Sequence, residues 1–118
     1  MGQEYSPEEK ELMFARQQDK EEHDSLMEDL SQILCTDGGR RYLWRLLSFC
    51  RVMDRSMDRD SHVMAFREGQ RDIGMRLMRD IYEAEPNAYE LMRKEHVKAC
   101  EERKAAYDEA KKQFEEEQ

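Results

Sequence analysis

Pro7 and Pro86 are the only prolines in a chain of 118 residues, and the five glycines include one adjacent pair, Gly38–Gly39. A β-sandwich or barrel of this length needs turn residues every ten residues or so. This chain has nowhere to put such turns. Glu, Lys, Arg, Met, Leu and Ala occupy most positions instead, and these are the residues that lose least on entering a helix. The expected fold is therefore all-α: a small bundle of about four helices with extended N- and C-terminal helical arms. With 41% of residues charged and 38% hydrophobic, its core must be thin.

The helices can be placed from caps and apolar spacing. Ser6, Pro7 and Glu9 form a helix start: an N-cap, a proline in the first turn and a capping-box acid three residues on. Few apolar residues follow before His23, so this segment reads as a solvated helix. Asp24 or Ser25 restarts or continues it, and Leu26, Leu30, Ile33 and Leu34 supply an amphipathic stripe. "CTDGG" (35–39) breaks it, and Thr36 or Asp37 caps the next helix, whose face of Leu43, Leu46, Leu47 and Cys50 is flanked by Trp44. "MDRSMDRDS" (53–61) reads as an exposed loop. Asp60 or Ser61 then caps a helix ending near Ala84, with Val63, Phe66, Ile73, Leu77 and Ile81 along one face. Gly69 and Gly74 inside that helix each cost about 1 kcal/mol relative to Ala. The expected compensation is a close contact, with another backbone or a ring such as Trp44; a hinge is the alternative. Glu85–Pro86 ends this helix and begins the last, where Tyr89, Met92, His96, Ala99, Arg103, Ala106, Ala110 and Phe114 keep a 3.6-residue period. After Cys100 the large hydrophobes thin out, so the final four turns should project from the body.

Charge is distributed in blocks. Residues 1–39 carry a net −8, residues 80–118 a net −5, and residues 40–79 a net +5, within a total of −8. The ten cations of the middle block are all arginine: Arg40, Arg41, Arg45, Arg51, Arg55, Arg59, Arg67, Arg71, Arg76 and Arg79. A guanidinium binds carboxylates bidentately and stays charged when partly buried. The expectation is that these side chains are anchored, to acids of the same chain, to a neighbouring subunit, or to phosphate.

Sites of chemistry are not announced. The chain holds no glycine-rich phosphate loop, HExxH or GxSxG. Cys35, Cys50 and Cys100, like His23, His62 and His96, are too widely spaced for a metal motif. No catalytic, cofactor or metal residue is expected, and the thiols read as buried and free. No apolar run approaches the ~20 residues of a membrane span. "MGQEYS" fits the M-G-x-x-x-[ST] acylation pattern, but acidic residues follow it rather than the basic patch of a second membrane signal.

The segments "GRRYLWRLL" (39–47) and "AFREGQRDIGMRLMRDIYEAEPNAYELMRKE" (65–95) resemble the Bbp-nineteen-like family of small tailed-bacteriophage proteins. Gly39, Arg40, Trp44, Phe66, Glu68, Gly69, Arg71, Gly74, Leu77, Ile81, Pro86, Tyr89, Met92 and Glu95 fall on the family pattern. The likeness spans about residues 36–96. It divides the chain into an acidic N-terminal arm (1–35), a family core domain (36–96) and a charged C-terminal extension (97–118). The resemblance implies a virion-associated or assembly protein encoded among head genes and carries no known activity. It also favours pinned arginines, with Arg40 or Arg71 pairing with Glu68 or another acid near the core.

The expected function is thus a non-enzymatic phage structural or assembly protein. It would associate with the head, portal or internal region through helix-mediated contacts with phage portal, capsid or internal proteins and with copies of itself. It would reside in the host cytoplasm during assembly and then in the virion. The interaction residues expected are Arg40, Arg41, Trp44, Arg45, Arg51, Arg55, Arg59, Phe66, Glu68, Gly69, Arg71, Gly74 and Tyr89. The alternative is a nucleic-acid or host-factor binder, acting either through an acidic surface or through the Arg-rich centre, with Arg40, Arg41, Arg45, Arg51, Arg55 and Arg59 as a phosphate stripe and Tyr42 and Trp44 as stacking groups.

Overall fold

Among the described residues of the computed structural model, most lie in four helices: α1 (Pro7–Leu34), α2 (Asp37–Phe49), α3 (Ser61–Ala84) and α4 (Ala88–Glu117). The structure describes residues 2, 4–52 and 56–118. Met1, Gln3 and residues 53–55 lie outside the described residues, and with them Arg55 and the first part of the expected 53–61 loop.

The caps act as local switches. Ser6 and Glu9 close a reciprocal capping box, the Ser6 hydroxyl accepting from the Glu9 N–H at 3.1 Å and the Glu9 carboxylate from the Ser6 N–H at 3.0 Å. Thr36 caps α2 by accepting from the Gly39 N–H at 3.0 Å, and Asp60 caps α3 through the His62 N–H at 2.8 Å. The 85–86 break differs from expectation. Pro86 sits in a turn closed by the Ala88 N–H and the Glu85 carbonyl, and α4 begins only after Asn87.

α1 runs unbroken past Asp24. At 1.5 Å per residue its 28 residues extend about 42 Å. Only its end enters the core, as Leu30 and Leu34 pack with Leu43, Leu47, Cys50, Val52, Ile81, Ala88 and Met92. The core therefore reaches back into the segment assigned to the N-terminal arm, because the Leu30/Leu34 step of one helical turn turns both side chains onto the body. Farther up, the His23 ring meets Glu83 of α3 at 2.6 Å, and the Ser31 hydroxyl donates to the Ala84 carbonyl. At the other end every residue of α4 from Cys100 on is exposed. The molecule is a thin slab with extents of 87 × 40 × 18 Å.

Several expected core positions lie at the surface. Phe66 and Ile73, seven residues apart on one face of α3, are 66% and 63% exposed. The buried line of α3 runs instead through Gly74 and Ile81. The reason is visible at Gly74: its bare Cα receives Val52 and Cys50, where a Cβ would stand only 2.7 Å from the Cys50 Cβ and closer still to the Val52 Cγ2. The contact that compensates this glycine comes from the end of α2, not from Trp44. Gly69 faces open space, so no close approach compensates it. Of the three thiols only Cys50 is buried; Cys35 and Cys100 are exposed.

These two glycines should respond oppositely to the same methyl. Gly69→Ala should raise stability by about 0.5–1 kcal/mol, by helix propensity and a restricted unfolded chain. Gly74→Ala should lower it by about 1–3 kcal/mol through overpacking against Cys50 and Val52. Urea unfolding of the two variants measures both. A pH effect comes from the α1–α3 contact: the Glu83 carboxylate, hydrogen-bonded to the ring, raises the His23 pKa above its ordinary 6.5. A raised folded-state value means that the contribution is fully present below pH ~6.5 and is lost as pH rises through the higher folded value. Thermal melts should show wild type losing stability across that window, and His23→Gln should flatten the change.

A candidate binding cleft between two helices

Arg40 is the organising side chain of this region. It lies in the first turn of α2, and three of its nitrogens donate to three different places. Nη1 reaches the Leu34 carbonyl at 2.8 Å, Nη2 the Asp37 carboxylate at 2.5 Å and Nε the Glu95 carboxylate at 2.7 Å. Its side chain is only 13% exposed. The Leu34 carbonyl is one of the four that the end of α1 leaves without a helical partner, so the guanidinium satisfies a helix terminus while bridging to α4. Gly39 permits this tight corner, because any Cβ there would overlap the Ile33 carbonyl.

Beside this clamp, α2 and α4 enclose a cleft of about 430 Å³. Trp44, Met92 and Ala99 supply its apolar surface, and Arg41, Arg45, Arg103, His96 and Glu95 its polar groups. Trp44 stacks on His96 with centroids 5.0 Å apart and also meets Tyr89 at 5.6 Å; Tyr89 in turn lies 6.1 Å from Tyr82 of α3. Arg41, Arg45 and Arg103 are exposed and make no ion pair with any described residue. Such a site offers an aromatic floor and free bidentate donors, which suits a carboxylate- or phosphate-bearing group with an apolar part.

The expected residues therefore separate. Arg40, Arg41, Trp44 and Arg45 come together in the cleft, with Tyr89 behind Trp44. Arg51 follows α2 with a left-handed backbone (φ 55°), a conformation that favours glycine at a helix end, and lines a smaller neighbouring cavity. Arg59, Phe66, Glu68, Gly69 and Arg71 do not line the cleft, and Gly74 is a packing position. Anchoring of the arginines to described acids of the same chain is not uniform. Arg67 pairs with Asp58 at 3.4 Å, both side chains partly buried, and Arg76 with Asp72 at 3.3 Å in the open. Arg59, Arg71 and Arg79 are exposed without an ion pair among the described residues. Glu68 binds the Ser56 hydroxyl, so the acid of the Arg40 clamp is Glu95 rather than Glu68. His96, Ala99 and Arg103 of α4 also line the cleft, beyond the interaction residues expected from the sequence. Their signal was the shared face with Met92, at steps of four, three and four.

Among the described residues no three His, Cys, Asp or Glu side chains gather as a metal site, and no helix is long and apolar enough to cross a membrane. Removing the clamp should be costly: Arg40→Ala should lose about 2–3 kcal/mol, as charged hydrogen bonds go and Glu95 is left without its partner. A double-mutant cycle with Glu95→Ala should show coupling of about 1–2 kcal/mol, whereas Arg71→Ala should fall within about 0.5 kcal/mol of wild type. Denaturant titration of the four variants measures these differences.

No curated protein and no solved structure matches the chain. Residues 30–94, more than half of its length, match the family described as Bbp19-like phage protein. That span opens at Leu30, where the buried end of α1 begins, and closes at Lys94, beside the Glu95 of the clamp. The chain belongs to the Bbp19-like phage protein family, and is a bacteriophage protein.

Proposed function

We propose that this phage protein is a non-enzymatic structural or assembly component, binding other particle proteins, and copies of itself, through exposed helical faces. One observation carries the reading. Phe49, Phe66 and Ile73, 70%, 66% and 63% exposed, stand on the α2–α3 side of the body, where Gln70 ties α3 to the Phe49 carbonyl. Large apolar side chains left in water on a body this thin have the character of a contact surface. The same surface fits attachment to portal, capsid or internal proteins while heads are assembled in the host cytoplasm, with retention in the virion.

A second reading rests on the unpaired arginines. Arg41, Arg45 and Arg103 around Trp44 offer stacking and phosphate contacts to a nucleic acid. The acidic blocks at both ends weigh against it, since their field repels a polyanion.

Mass spectrometry of purified virions and procapsids tests the assembly reading, with the chain expected at a fixed stoichiometry. Phe66→Glu should leave the helical circular dichroism unchanged, because the side chain is already in solvent, yet reduce incorporation severalfold. Absence of the wild-type chain from both particles, together with a nucleic-acid affinity that falls steeply with salt, would transfer the assignment to the second reading.

A further inference from the structure

Every residue of the last five turns of α4 is exposed, yet they are not a featureless charged rod. His96, Cys100, Arg103, Tyr107, Ala110 and Phe114 follow one another at steps of 4, 3, 4, 3 and 4. That is the alternating spacing by which one helix lies along another, two positions in every seven facing the partner. Tyr107 and Phe114 are 66% and 62% exposed along this line. The line begins at the cleft, since His96 and Arg103 both line it. It ends in Glu115, Glu116 and Glu117.

We propose that α4 pairs antiparallel with α4 of a second copy, the last turn of each helix seated at the cleft of the other. The spacing reads the same in both directions, so an antiparallel partner falls into step along its whole length. With Phe114 opposite the partner's His96, Ala110 comes opposite its Cys100 and Tyr107 opposite its Arg103. The pairs then repeat in reverse. Each aromatic side chain meets a cation or a ring, an arrangement that favours stacking and cation–π contact. The three terminal glutamates come level with the partner's Glu95, Lys94 and Arg93, at the end of the cleft lined by Arg41 and Arg45, guanidinium groups that no described acid of their own chain engages. A parallel pair would instead set glutamate against glutamate and leave both clefts empty. Because each copy gives its tail and receives one, the contact is closed and two-fold, and needs no further subunit.

The pairing rests on the assembly reading above, which it makes specific, and it can be tested apart from any particle. Residues 100 and 110 of one rigid helix are about 15 Å apart, too far for a disulfide, which requires Cα atoms within about 7 Å. A link between Cys100 and Ala110→Cys can therefore form only between copies. Mild oxidation of Ala110→Cys should give a covalent dimer on a non-reducing gel, and adding Cys100→Ser should abolish it. Light scattering after size exclusion should show the wild type at twice 14.3 kDa. The E115R/E116R/E117R chain and the R41E/R45E chain should each be monomeric, and their mixture should regain the doubled mass. All of these changes lie on exposed side chains, so unaltered circular dichroism separates lost pairing from lost folding. A monomeric wild type, or a cross-link indifferent to Cys100→Ser, overturns the pairing; neither result bears on whether particles contain the chain.

Discussion

The Arg40 guanidinium is the contact on which the arrangement of this protein turns. It joins the end of α1, the start of α2 and the middle of α4 through three hydrogen bonds that leave in different directions. A lysine has one charged nitrogen and no fixed plane, and cannot span the same three acceptors. The bundle needs such a clamp because burial is scarce, with only two buried residues in each helix. A charged group held this way costs desolvation, and the geometry is what offsets it.

Around the clamp, aromatic contact replaces volume. Tyr82, Tyr89, Trp44 and His96 form a run of stacked or tilted rings that crosses α3, α4 and α2. Trp44 is only half-buried, so the run ends at solvent, and there the cleft opens. Clamp and cleft are thus two sides of one junction: Arg40 and Glu95 hold the helices together, and Arg41, Arg45 and Arg103 beside them remain available. Arginine serves both ends here, since a guanidinium that is not pinned internally is still a bidentate donor for a carboxylate.

The two long arms follow from the same economy. α1 and α4 are 28 and 30 residues long, far more than the body can cover. Isolated helices in water owe little to propensity and gain most from packing of a face. The N-terminal arm is held by its capping box and by the His23–Glu83 contact. In the C-terminal arm the Gln113 side chain donates to the Glu109 carboxylate at 3.4 Å, a contact within its own helix. Exposed Phe66 and Ile73 on α3 belong to the same picture of a small body that does not cover all of its large apolar side chains.

Much of this was legible in the amino-acid order, because caps and helical periods are local. Ser6, Thr36, Asp60 and the end at Ala84 mark the helices through hydrogen bonds spanning two to four residues, which no distant contact needs to assist. The all-α class follows from the same local terms. What the order of residues could not decide is which side of each helix is turned inward when apolar residues lie on more than one side. Val63, Phe66 and Ile73 had the right spacing for a core face, but Gly74 gave α2 a closer approach, and that face was left in water. Nor could it single out Arg40: the family resemblance favoured Arg40 or Arg71 and could not choose between them. All ten central arginines have the same chemistry, and only the folded chain brings Leu34, Asp37 and Glu95 to a single one of them, since a partner fifty-five residues away is chosen by packing and not by sequence distance.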